Sequence, residues 1–203
     1  FTSHKMPYMY STPLRSLVSK DLTNLFFAGR LASFSHVVYG SQRVMKTCAT
    51  MGQATGTAAA YAVAHGIAPI ELKDHPEAVW SIQQQLLRDD AFIIGKYNAD
   101  PRDHALAATV TASSERHNST ACSVISGQSR AVVSSTTDVT IGHGGGVPAS
   151  QAKSGTNRWI SEGLPASVSL TLAEPVAVKQ VQLVFDTGMH RKLTQSVTKS
   201  MME

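Results

Sequence analysis

The chain reads as two parts of different class: an α/β segment over residues 1–98 and an all-β sandwich over residues 105–203, joined by a linker at 99–104. Three observations predict this. Between Asn24 and Gly66 a short apolar run, NLFFAGR, is followed by an aperiodic stretch and then by MGQATGTAAAYAVAHG, rich in Gly and Ala. Near residue 100 the composition turns from Leu, Ala and Met at helical spacing to Ser, Thr, Val and Gly in short alternating runs. Finally, 203 residues suffice for two ordinary domains with real cores.

Within the first part, Asn24 to Ala28 predicts a short buried strand closed by Gly29. Leu31 to Lys46 has no period and reads as a loop. Small residues dominate from about Thr47, and a helix opening on Gly52 is expected to end at Gly66, a C′ cap. Gly52 and Gly56 each cost about 1 kcal/mol relative to Ala inside a helix. Something therefore requires the absence of side chains there. Tight packing against a sheet satisfies that requirement, and so does a large flat cofactor lying against the helix N-terminus; spacing alone leaves both open. A second helix is expected from the capping box Asp74-His-Pro-Glu77. Val79, Ile82 and Leu86 form its apolar face, Gln83 to Gln85 turn to water, and Trp80 reads as core.

The second part carries strand patterns at ATVTASSE, VISGQSR, NRWISEG and SVSLTLAEPVAVKQVQLVFD. Val168, Leu170 and Leu172 alternate with polar residues, Val181, Leu183 and Phe185 share one face, and Glu174-Pro175 marks a turn. This is a β-sandwich pattern.

Charge and cysteine usage exclude several classes. The net charge is +4, but the 18 Lys and Arg are scattered, with no basic run and no aromatic interleaving, so nucleic acid is not an expected partner. Cys48 and Cys122 have no neighbours at metal spacing, and no metal site is expected; Cys48 reads as a small packing residue. No stretch has the roughly 18 apolar residues of a membrane span, and FTSHKMPYMY lacks a signal-peptide pattern. Because residue 1 is Phe, the natural N-terminus is expected to lie upstream.

From Tyr10 to Ile94 five pieces occur in order: P-x-R-S-L-V, N-L-x-x-A-G-R, S-x-S-H, G-S-x-R-V-M-x-T-C and M-G-Q-A-x-G-T-A-A. Together they closely resemble the C-terminal part of bacterial FAD-dependent oxidoreductases with a two-dinucleotide-binding-type flavin domain. The resemblance implies that FAD is the cofactor and that Gly29 and Arg30 line the ribityl chain and flavin. It also implies that Ser35, Met51 and Ala54 belong to the cofactor-binding set, and that the backbone amides of Gly52 and Gln53 face the flavin O2. A reduced flavin is negative near N1 and O2, which suits a helix N-terminus. His36 and Arg43 fall in the segment that roofs the flavin on the substrate side. There a His exchanges a proton during hydride transfer and an Arg grips an alkoxide or carboxylate, which makes them the candidate catalytic residues. From the residues alone, a backbone hydrogen bond by His36 and a structural ion pair by Arg43 remain equally open.

The Gly-rich turn that binds the FAD pyrophosphate in such domains is not in this sequence, and Gly142 to Gly146 has no strand-helix context. The α/β flavin segment is thus expected to be incomplete, inactive alone, and a partner of a missing N-terminal flavin-binding part. The second part resembles the discoidin or coagulation-factor type C group of galactose-binding-like jelly rolls over Ala105 to Asp186, through A-x-V-T-A-S-S and N-x-W-x-S. Ser126 stands where that group has an Asp before Gly127, and the sandwich reads as truncated at Glu203. Trp159 reads as core in this motif, a sugar-stacking role being the sharper alternative. The resemblance favours a periplasmic or secreted location. The whole implies an FAD-dependent oxidoreductase portion acting on a small polar or sugar-like substrate. The alternative is a non-catalytic carbohydrate-binding module on a vestigial flavin domain.

Overall fold

The computed structural model describes residues 10–128 and 157–185. The Gly142–Gly146 run and any strand beyond Phe185 lie outside the described residues. The chain divides into two compact units, 1–173 and 174–203.

In the first unit the helices are α1 (His36–Gln42), α2 (Met45–His65) and α3 (Pro76–Arg88), and 3₁₀ turns occupy Leu14–Leu17, Gly29–Leu31 and Pro69–Asp74. The main core lies where α2 meets α3. Ala58 and Ala62 of α2, Leu72 of the 3₁₀ turn, and Ala78, Ile82 and Leu86 of α3 are buried together, with Phe26 and Ile67 packed against them. Alanines on α2 let the larger α3 side chains approach closely, so the thin side of one helix meets the thick side of the other. A second cluster gathers Leu17, Ala32 and Met51, with Phe34 and Cys48 alongside.

Helix ends follow local chemistry in one case and not in another. Gly66 ends α2 in the left-handed region (φ +64°), and the amide of Ile67 returns to the carbonyl of Ala62 at 3.0 Å, as expected of a C′ glycine. The capping box expected at Asp74 does not form. His75 is the N-cap of α3, Pro76 opens the helix with its fixed φ, Asp74 pairs with Lys73, and Glu77 meets His75 Nδ1 at 3.1 Å.

Tertiary context overrides four further expectations. Asn24 to Ala28 is not a strand: one isolated bridge, Val18 with Phe26, is its sheet-like contact, because among the described residues no neighbouring strand is offered. The expected loop at Leu31 to Lys46 contains α1, a two-turn helix. On α3, Trp80 is 45% exposed rather than core, while Gln84 is buried because its amide donates to Tyr97 O (3.1 Å) and its Oε1 accepts from the Ala99 amide (2.8 Å).

Residues 98–104 are densely bonded. The buried Asp100 carboxylate accepts from Arg88 and from Arg102, and the Asn98 amide donates to Gly127 O at 2.8 Å. A Cβ on Gly127, at φ +73°, would lie 2.7 Å from Asn98 O, so the close approach needs glycine.

Beyond this joint, β1 (Thr109–Ala112) pairs antiparallel with β2 (Val168–Thr171), Thr109 opposite Thr171 and Ala112 opposite Val168. This two-stranded sheet is the one sheet among the described residues, which give no support for the expected all-β jelly-roll sandwich. Val124 lies in a 3₁₀ turn, Ala121–Ile125, and Asn157 to Gly163 is held by isolated bonds rather than a ladder: Trp159 Nε1 donates to Ser114 O at 2.9 Å, and the Arg116 amide to Ile160 O at 2.8 Å. In the second unit, Val181, Leu183 and Phe185 are 74, 68 and 78% exposed and share no buried strand face.

Candidate functional site

The predicted site residues fall on one continuous stretch, from the 3₁₀ turn at Gly29 through α1 into α2. Gly29 has φ +61°, and a Cβ there would stand 3.6 Å from Cys48 Cβ and Sγ, in ordinary contact. Cys48 is half-buried, and its thiol lies 3.6 Å from Gln42 O, in keeping with a packing role. Arg30 reaches across so that Nε donates to the carbonyl of Arg43 at 3.3 Å.

Ser35 is the N-cap residue of α1, but its hydroxyl makes no capping bond. His36 occupies the first helical position and Arg43 the C-cap, both exposed. Seven residues bring the two side chains to nearly the same side of the helix, with backbones roughly 10 Å apart along the axis. Neither alternative role left open by the sequence is realised among the described residues: Arg43 has no ion pair, and the His36 ring has no backbone partner. Sequence reasoning missed what fixes α1. Gln42 is 2% exposed, its Nε2 donates to Thr12 Oγ1 at 3.1 Å, and Tyr10 Oη donates to Ser41 Oγ at 2.5 Å. The signal was the polar pair Ser41-Gln42 directly after the Val37-Val38-Tyr39 run.

The start of α2 corrects the expected cradle. The helix opens at Met45, behind an N-cap Val44 with no capping side chain, so Gly52 and Gln53 sit inside the helix and their amides belong to its ladder. The amides left free lie at Met45 to Thr47, since that of Cys48 already donates to Val44 O at 3.0 Å. The side chain of Gln53 turns toward α3, donating to Asp89 O at 3.3 Å. Met51 is 2% exposed and Ala54 half-buried, so both pack inward.

The outer face of α2 is open and thin. Ala49, Gly52, Gly56 and Ala60 recur at three- and four-residue steps and are all exposed. A Cβ on Gly52 or Gly56 would meet nothing within 4 Å. Met45 and Val63, each 85% exposed, bracket this stripe, with Val37 and Leu31 exposed nearby in sequence. Tight helix-to-sheet packing is therefore not what the glycines serve among the described residues. A flat ring system suits such a face. The pyrophosphate end of a dinucleotide finds no Gly-rich turn in the sequence. These residues accordingly fit the ring end of FAD and not its phosphates.

Comparison with known proteins agrees with this part of the chain. Residues 1–86 match the model of the family described as FAD dependent oxidoreductase. No curated protein and no solved structure matches the chain. The N-terminal part therefore carries an FAD-dependent oxidoreductase family domain, and the cofactor that family uses is FAD. Among the described residues no helix is long and apolar enough to cross a membrane.

Proposed function

We propose that residues 1–98 are the C-terminal portion of an FAD-dependent oxidoreductase domain that transfers hydride between the flavin and a small polar or sugar-like substrate. The observation that carries this reading is the open, side-chain-free face of α2 within the segment matching the oxidoreductase family. When bound, FAD supplies the two-electron acceptor.

The chain's own residues supply position and protons. Gly52 and Gly56 admit close approach of a planar group to the helix, and Met45 and Val63 cover its apolar edges. Gly29 and Arg30 bring the chain toward the ribityl side, Arg30 anchored on Arg43 O. His36 exchanges the substrate's hydroxyl proton as hydride moves, and Arg43, on the same side of α1, holds the substrate oxygen through a charge-assisted fork.

His36→Ala tests this division of labour. In flavin-loaded protein expressed from its native reading frame, it is expected to slow flavin reduction by substrate on the order of 10²-fold, with the bound-flavin spectrum unchanged. An unaltered reductive half-reaction removes His36 from the chemistry. The second part enters this reading through its discoidin-like motifs alone, as an accessory module of a periplasmic or secreted enzyme.

A further inference from the structure

Between Asp21 and Glu71 the chain has no carboxylate side chain, yet it places Arg30, Arg43 and Lys46 there. The fold gathers these cations. Arg30 is held at the α1–α2 junction by its bond to Arg43 O at 3.3 Å, and Lys46 lies in the first turn of α2. All three are exposed, and among the described residues none has an ion-pair partner. The first turn of α2 has no acidic residue. A helix N-terminus already carries about half a positive charge, so the helix end offers Lys46 no compensation. At the joint after α3, by contrast, two arginines share a carboxylate, Arg88 and Arg102 both bonding to Asp100. At the junction no carboxylate among the described residues supplies that counter-charge.

We propose that Arg30, Arg43 and Lys46 bind a carboxylate on the substrate, so that the reaction acts on a carboxylate-bearing molecule rather than a neutral sugar. Guanidinium forks suit the planar carboxylate, and His36, on the Arg43 side of α1, is placed for a hydroxyl near that carboxylate. Naming the anion as substrate rests on the flavin reading above; binding of the anion does not. Phosphate oxygens of the cofactor share this chemistry and are the rival source.

The experiment titrates malonate, and separately its neutral counterpart malonamide, into the flavin-loaded protein from its native reading frame, by calorimetry at low and moderate salt. Flavin content is read by absorbance in the same samples. Malonate is expected to bind, and malonamide not. Arg43→Gln and Lys46→Gln are each expected to weaken malonate on the order of 10-fold, with flavin content unchanged. Lys46 is exposed and makes no side-chain hydrogen bond among the described residues, so its variant carries the test if Arg43→Gln fails to fold. Equal binding of both probes, or of neither, overturns the proposal. Variants that lose flavin while malonate binding per flavin persists assign the cations to the cofactor's phosphates, which also overturns it. Protein that is colourless yet loses malonate in the variants supports the anion site and removes the flavin reading.

Discussion

Two long helices of the first unit treat water in opposite ways. On α3 the buried residues Ala78, Ile82, Leu86 and Leu87 form one stripe and the polar residues Glu77, Gln85 and Arg88 lie outside it. On α2 the buried side is built from Met51, Thr55, Ala58 and Ala62, while one strip of the outer side presents Met45, Ala49, Gly52, Gly56 and Val63, with Lys46 at its start the one charge besides the terminal His65. An exposed strip without long polar side chains, unlike the polar outer side of α3, leaves room for a group to lie against the helix. The difference marks α3 as architecture, and the exposed small-residue stripe of α2 is what the proposed flavin-binding role draws on.

The largest expected effect lies on the inner side. Leu72 is 0% exposed between α2 and α3, and Leu72→Ala is expected to cost about 2–5 kcal/mol in chemical denaturation. Val63→Ala, on the outer face, is expected to change stability by less than about 0.5 kcal/mol. Equal costs at the two positions would break the comparison.

Next in size is Asp100, which ties the end of α3 to the joint at 98–104. Hydrogen bonds from Arg102, with the added charge of Arg88, hold its carboxyl well below the usual carboxylate range. A depressed folded-state value means that the stabilisation is present at neutral pH and is lost as pH falls below about 4, the ordinary value of an unfolded Asp. Its size is about 1–2 kcal/mol, discounted because the guanidinium partners are largely exposed. Asp100→Asn should remove that part of the acid sensitivity; denaturation midpoints at pH 7 and pH 3, in parent and variant, measure it. Smaller again is Gly66→Ala, expected to cost about 1 kcal/mol of thermal stability because the cap holds φ +64°.

What could be read in advance was local or rested on an ordered set of motifs. Gly66 needs no neighbour to end a helix, and the spacing of Ile82 and Leu86 marks a buried face wherever the helix packs. The five pieces from Pro13 to Ala59 pointed to the flavin family that residues 1–86 match. What stayed illegible depends on distant partners. α1 is two turns long, below the length at which periodicity speaks, and Gln42 secures it through Thr12, thirty residues away. Gln84 looks polar and outward until Tyr97 and Ala99 supply backbone partners. The start of α2 was misplaced by six to seven residues because Val44 gives no capping signal, whereas the glycines at 52 and 56 resemble one. Among the described residues, strand patterns after residue 105 formed a ladder only where β1 and β2 meet.

The central claim is that the outer face of α2 is left bare for a flavin, and Gly52 tests it with two substitutions in protein expressed from its native reading frame. Because a Cβ there meets nothing within 4 Å, Gly52→Ala should raise stability by about 0.5–1 kcal/mol through helix propensity, and Gly52→Val should still fold. Flavin absorbance per protein is the deciding quantity. The account predicts a yellow parent and a folded Gly52→Val variant with clearly lowered FAD occupancy; a folded Gly52→Val variant with the parent's full flavin content would contradict it.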